Sequence, residues 1–227
     1  PEEHLAHIKQ TIDYALSKNF TVNLYLEDWS SGMRDSRDYL FMMMDELVKL
    51  PIKRFLLPDT LGILNPLQCV EYMRQMVRRY PNSHFDFHAH NDYDLAVSNS
   101  LAAVLSGAKG LHVTVNGLGE RCGNAPLASV QVILKDMFGA KTNIKEDRLN
   151  DISRLVEGYS GIAVAPNTPV VGDNVFTQVA GVHADGDNKD KLYCNDLVPE
   201  RFGRHREYAL GKNSGKANII QNLNELG

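Results

Sequence analysis

Four short apolar runs recur at roughly the length of one βα unit, and this spacing constrains the fold more than any other feature of the chain. They are Val22–Leu26, Arg54–Leu57, His84–Phe87 and Gly110–Val115. Each has the length of a strand, and each ends in a polar or Gly/Pro break. The intervening segments read as helices over Pro1–Ser17, Arg37–Lys49, Pro66–Tyr80, Asp94–Ser106 and Pro126–Gly139. Ser36 and Asn65 stand at N-cap positions, Pro66 and Pro126 open helices, and Gly107 closes one. Such alternation calls for a parallel sheet with helices outside it.

A complete (β/α)8 barrel takes about 250 residues. Here an orphan helix precedes four βα units within the first ~140 residues. The expected architecture is therefore α/β, the second half of a TIM barrel, with a complete four-stranded open sheet as the alternative. The expected domains are 1–160, the barrel half, and 161–227, a linker and small appended subdomain. The latter begins around Ala163–Pro169 and carries mixed Gly-, Asp- and Lys-rich sequence before a last helix, Lys216–Leu226.

Composition narrows the partners. Lys and Arg total 24 against 28 Asp and Glu, a net charge of −4. That balance argues against nucleic acid or an anionic membrane held by bulk charge. No apolar run approaches the ~18 residues of a membrane span. The three cysteines, Cys69, Cys122 and Cys194, fit no disulfide or zinc spacing, so a cytoplasmic setting is expected.

Barrel enzymes of this type keep their chemistry at the C-terminal ends of the strands. Those ends read Tyr25-Leu26-Glu27-Asp28, Pro58-Asp59-Thr60, His88-Ala89-His90-Asn91-Asp92 and Asn116 to Arg121. All four are polar. His88 and His90, two apart on a strand, share a face, and paired imidazoles suit a divalent metal. The competing reading is a pair of surface histidines, and a further ligand is needed in any case. Glu27 points inward if Asp28 faces the helices. Gly117, Gly119, Arg121 and Gly123 lie in a loop feeding a helix N-terminus, a setting suited to phosphate or simply to a tight connection. Gly211 to Ala217 resembles a P-loop but is one residue short and lacks its Ser/Thr. His112 reads as a hydrogen-bonded core residue.

Together, Phe87–Asp92, Asn116–Asn124 and Gly181–Gly186 resemble the 2-isopropylmalate, homocitrate and citramalate synthases. These sit in a metal-dependent lyase-barrel superfamily that also holds hydroxymethylglutaryl-CoA lyase. Tyr25–Trp29 and Pro199–Arg204 resemble the citramalate branch most. The resemblance implies an acyltransferase that condenses acetyl-CoA with a small 2-oxo acid, most simply pyruvate, to give citramalate for isoleucine synthesis. The alternatives are 2-oxoisovalerate, which would make it an isopropylmalate synthase of leucine synthesis, and an acyl-CoA lyase.

The resemblance also implies a divalent metal (Zn, Mn or Mg), a homodimer, and a role for each matching residue. His88 and His90 would bind the metal, with Asn124 completing or supporting its shell. Glu27 would be the active-site carboxylate, and Thr60 would contact the substrate carboxylate. His183 would assist proton abstraction, with Tyr193 as its companion. Tyr25 would narrow the oxo-acid pocket. The family's strand-one motif, Asp followed by Arg-Asp-Gly, is not among the 227 residues. It supplies a metal ligand and an enolate-stabilising arginine, so these residues alone are expected to be inactive.

Overall fold

The computed structural model describes every residue except Pro1, Asn188, Asp190, Lys191, Tyr193 and Gly227. It divides into two compact units, Pro1–Val130 and Gln131–Gly227.

The first unit begins with α1 (Glu2–Ser17), followed by β1 (Val22–Tyr25), α2 (Trp29–Asp35) and α3 (Arg37–Leu47). Then come β2 (Ile52–Asp59), α4 (Pro66–Arg79), β3 (Phe85–Ala89), α5 (Ala96–Leu105) and β4 (Gly110–His112). Helix α6 (Leu127–Phe138) runs across the division. The four strands are parallel, in the order β1-β2-β3-β4. Each strand thus pairs with its sequence neighbour, as in a barrel wall. A doubly wound sheet would instead reverse its strand order at a switch point.

Period-two alternation splits the strands into two faces. Phe55, Leu57, Phe85, Phe87 and Ala89 face the helices and are buried. Trp29 meets Phe87 and Tyr72 edge to face, with both pairs of ring centroids 6.3 Å apart. Met33, Met44, Met73 and Met76 fill the remaining space and are fully buried. Burial of each large apolar side chain here contributes ~1.5–3 kcal/mol, so this layer carries the unit's stability. Alongside β1, an apolar groove of about 420 Å³ is lined by residues that include Ile8, Leu24, Leu40 and Met43.

Local signals explain most of the boundaries. Asn65 caps α4 through a reciprocal pair of bonds with Gln68, and Pro66 occupies the first helical position. Gly107, at φ 105°, turns the chain after α5. One expectation needs correction. Ser36 makes no side-chain cap on α3, because its hydroxyl turns back to the Gly32 carbonyl. Glu27 is followed closely by the short helix α2. Two serines and a glycine give α2 no apolar period, and burial of Trp29 and Met33 holds it in place.

The second unit contains α7 (Leu149–Ser160), β5 (Thr177–Gln178), α8 (Gly181–Asp187), β6 (Glu207–Tyr208) and α9 (Lys216–Leu226). Gly161, at φ 69°, ends α7. Strands β5 and β6 form a parallel pair, and Phe176 stacks on Phe202. Arg201 ties Glu146 and Asp136 together. In the Gly211–Ala217 turn, the Ser214 hydroxyl accepts the Gly211 N–H, and the Asn218 side chain accepts the Gly215 N–H. These internal caps account for the turn without a phosphate. Among the described residues, no helix is long and apolar enough to cross a membrane.

Candidate active site

The other face of the sheet is polar. Register places Tyr25 beside Leu56, Pro58 beside His88, and His88 beside His112. With Arg54 and Asp86 lower down and Glu27 and His90 at the strand ends, this face holds most of the chemically able side chains singled out in the sequence.

Strand β3 reaches Ala89, so His88 belongs to the strand itself. His90 bridges to Asn124, and the Ala125 N–H donates to the Ala89 carbonyl at 3.3 Å. The returning chain thereby sets the Asn124 side chain against the histidine pair, with Nδ2 3.3 Å from His88 Nε2. The two imidazoles lie 5.1 Å apart, edge to face. Their δ-nitrogens are buried without a hydrogen-bond partner, which leaves polar capacity unused. Burial, followed by the neighbouring His90 and His112, pushes the His88 pKa down to about 4, so it is neutral at physiological pH. Two imidazoles beside a carboxamide fit a divalent cation. Among the described residues, no group of three or more His, Cys, Asp or Glu side chains could hold a metal, so the shell these residues offer is partial.

Asp28 adopts a left-handed conformation at φ 55°, and Glu27 lies beside Thr60. The Thr60 hydroxyl accepts the Asp28 N–H at 3.1 Å and donates to Glu27 Oε1 at 2.9 Å. Its single proton is thus engaged by Glu27, so Thr60 fixes the carboxylate and does not offer that proton to a substrate. Arg121 Nη2 donates to the Thr60 carbonyl at 2.7 Å. Its Nε and Nη2 also form a two-pronged pair with Asp92, at 2.7 and 2.9 Å. This guanidinium holds the Asp92 carboxyl below its ordinary range.

The same contacts correct the phosphate reading of the glycine loop. Arg121 is committed to Asp92 and Thr60. The N–H groups of Gly117, Gly123 and Asn124 donate to Thr114, Glu120 and Gly117 carbonyls inside the loop. The glycines serve close packing. A Cβ on Gly119 would meet Asn124 Oδ1 at 2.0 Å, and one on Gly123 would meet the Gly117 carbonyl at 2.0 Å.

Tyr25 reaches across the polar face. Its hydroxyl lies 2.7 Å from His112 Nδ1, and its ring stands edge-on to His88, 6.2 Å between centroids. His112 is therefore half-buried on the polar face rather than in the core. Sequence reasoning missed Asp86, which is 2% exposed and meets His84 at 2.8 Å, Arg54 at 3.3 Å and His112 at 3.5 Å. Its signal was a carboxylate between two phenylalanines, on the face of His88. His183 lies on α8 in the second unit, exposed, with its N–H donating to the Ala180 carbonyl. Tyr193 lies outside the described residues.

A parallel sheet in which each strand pairs with its sequence neighbour has known counterparts. A family model described as HMGL-like matches residues 1–156, and the chain belongs to that family. Its sheet is part of the family's TIM-barrel fold. A Methanopyrus kandleri protein assigned as an (R)-citramalate synthase is 37% identical over all of this chain and 44% of its own length. A homocitrate synthase of Saccharolobus islandicus is 41% identical over all of this chain and 48% of its own length. The chain thus spans about half the length of these curated relatives. The crystal structure of a Bacillus subtilis HMG-CoA lyase superposes with a TM-score of 0.64 at 24% identity. That match covers 72% of this chain and 57% of the lyase, and it speaks for the fold.

Proposed function

We propose that the protein carrying this chain condenses acetyl-CoA with a small 2-oxo acid, with pyruvate as the substrate and citramalate as the product. One observation supports this most: the His88–His90–Asn124 group stands beside the Thr60-held Glu27 and the Tyr25 ring on one polar face. The two synthases similar to this chain support the reaction class.

In this reading His88, His90 and Asn124 hold part of the shell of a divalent metal. When bound, the metal supplies Lewis-acid polarisation of the oxo acid. The protein's own groups do the rest. His183 takes a methyl proton from acetyl-CoA, with Tyr193 as its companion. The resulting carbanion adds to C2 of the oxo acid, whose oxygen gains a proton. Water then cleaves the thioester, releasing coenzyme A and leaving a carboxylate. Glu27 supplies a fixed acceptor at the strand ends. A cytoplasmic homodimer is the setting the family resemblance implies.

Tyr25 favours pyruvate. Its ring occupies space that the two extra methyl groups of 2-oxoisovalerate would need. Apolar fit of this kind discriminates by ~1–3 kcal/mol per methylene, or one to two orders of magnitude. The test is free-thiol release from acetyl-CoA by full-length protein with several 2-oxo acids. A higher kcat/KM for 2-oxoisovalerate than for pyruvate would refute the pyruvate assignment and make the enzyme an isopropylmalate synthase.

A further inference from the structure

The proposed function uses Tyr25 as a pocket wall but gives His112 and Asp86 no part. Their geometry argues for one. Tyr25 sits on β1, which pairs with β2 on one side, and nearly half of its surface is exposed. A tyrosine in that position would ordinarily sample several rotamers. Here its hydroxyl is held at 2.7 Å by His112 Nδ1, on the last of the four strands. The two rings also meet edge-on, 5.7 Å between centroids. This contact draws the phenol over the sheet and against His88.

His112 in turn approaches a buried carboxylate. Its Nε2 faces Asp86 Oδ2 at 3.5 Å. A proton on Nε2, toward the carboxylate, leaves Nδ1 as the acceptor that the phenol needs. Asp86 cannot drift. It is buried, His84 and Arg54 hold its two oxygens, and Gly110 lies so close that a Cβ there would stand 2.2 Å from Oδ1. The chain Tyr25–His112–Asp86 thus ends on an immobile carboxylate.

We propose that His112 is a specificity-determining positioning residue. It holds the Tyr25 ring across the oxo-acid pocket, and Asp86 sets the tautomer that allows it. The inference rests on the oxo-acid reading of this face. Without the His112 acceptor the ring swings out, the pocket widens, and larger oxo acids gain relative to pyruvate.

The experiment is a double-mutant cycle on the full-length, metal-loaded protein. The kcat/KM ratio of pyruvate to 2-oxoisovalerate is measured for Tyr25→Phe, His112→Phe and the pair. Each single change should lower the ratio about threefold to tenfold, the worth of one hydrogen bond. The pair should lower it no further than the larger single change, because both remove the same contact. His112→Gln, which keeps an acceptor, should restore most of the ratio. The upward shift in melting temperature given by each oxo acid should follow the same order, a readout independent of turnover. Unchanged ratios in both single variants, or additive losses in the pair, would overturn the proposal while leaving the condensation reading intact. Should His112→Phe fail to fold, Tyr25→Phe against His112→Gln still decides it, since a large fall in the latter also overturns it. If the unaltered protein releases no thiol with any oxo acid, both readings fall.

Discussion

Replacing Gly119 by alanine probes the metal reading through one added carbon. Gly119 has no left-handed φ, so alanine costs its backbone nothing there. The obstacle is Asn124, whose Oδ1 would stand 2.0 Å from the new Cβ against the 3.4 Å of ordinary contact. The carboxamide must therefore retreat by about 1.4 Å. It now sits 3.3 Å from His88 Nε2, so the retreat breaks that contact and misplaces a supporting group of the site. Loss of such a support costs about 10–100-fold in metal affinity. The assay is calorimetric titration of the full-length protein with Zn²⁺ and Mn²⁺, with circular dichroism to confirm the fold. Gly158→Ala, in a helix with no atom within 4 Å of the new Cβ, is the control and should bind metal like the parent. A folded Gly119→Ala protein with parental metal affinity would refute the role given to Asn124.

Three further outcomes follow from the same contacts. Asp59 is fully buried and accepts the N–H groups of Ile63 at 2.9 Å and Leu64 at 3.2 Å. Asp59→Ala should therefore cost about 3–5 kcal/mol in urea unfolding, and a loss below 1 kcal/mol would contradict the two bonds. His88 has a folded pKa of about 4, below its unfolded value, so the unfolded chain binds more protons between them. The stability held by neutral His88 is full above about pH 6.5 and declines as pH falls toward 4. Metal-free parent should then lose melting temperature across that window more steeply than His88→Gln, and parallel curves would refute this. Gly110→Ala should destabilise by about 1–3 kcal/mol through collision with Asp86, and by much less in an Asp86→Ala background; equal costs in the two backgrounds, read by chemical denaturation, would show that the collision is not the cause.

Which of these features could be read beforehand depends on how far apart the interacting residues lie. The Asn65-Pro66-Gln68 cap is local chemistry, and the helix starts where that triplet requires. His88 and His90 were legible because a two-residue period fixes their common face. Helix α2 was not, since two serines and a glycine among its seven residues weaken the helix signal and burial of Trp29 decides the matter. The Tyr25–His112 contact joins residues 87 apart, and no local pattern encodes it. Arg121 read as part of a phosphate-binding loop because its partner Asp92, 29 residues away, is brought near only by the fold. The place of Asp86 is likewise invisible without the register of β3 on β4.

The alternation along β3 makes the strand's tolerance of insertions and deletions depend on parity. Phe85, Phe87 and Ala89 lie on the helix side, while Asp86, His88 and His90 lie on the polar side. A single residue inserted after Phe85 would exchange the two sets, sending imidazoles into the apolar layer and phenylalanine into the pocket. Stability and chemistry would then fail together, although no functional residue had been altered. Two inserted residues would keep both faces, while Asp86, His88 and His90 shift together by two positions along the strand. Length changes in this strand that survive selection should therefore come in even steps.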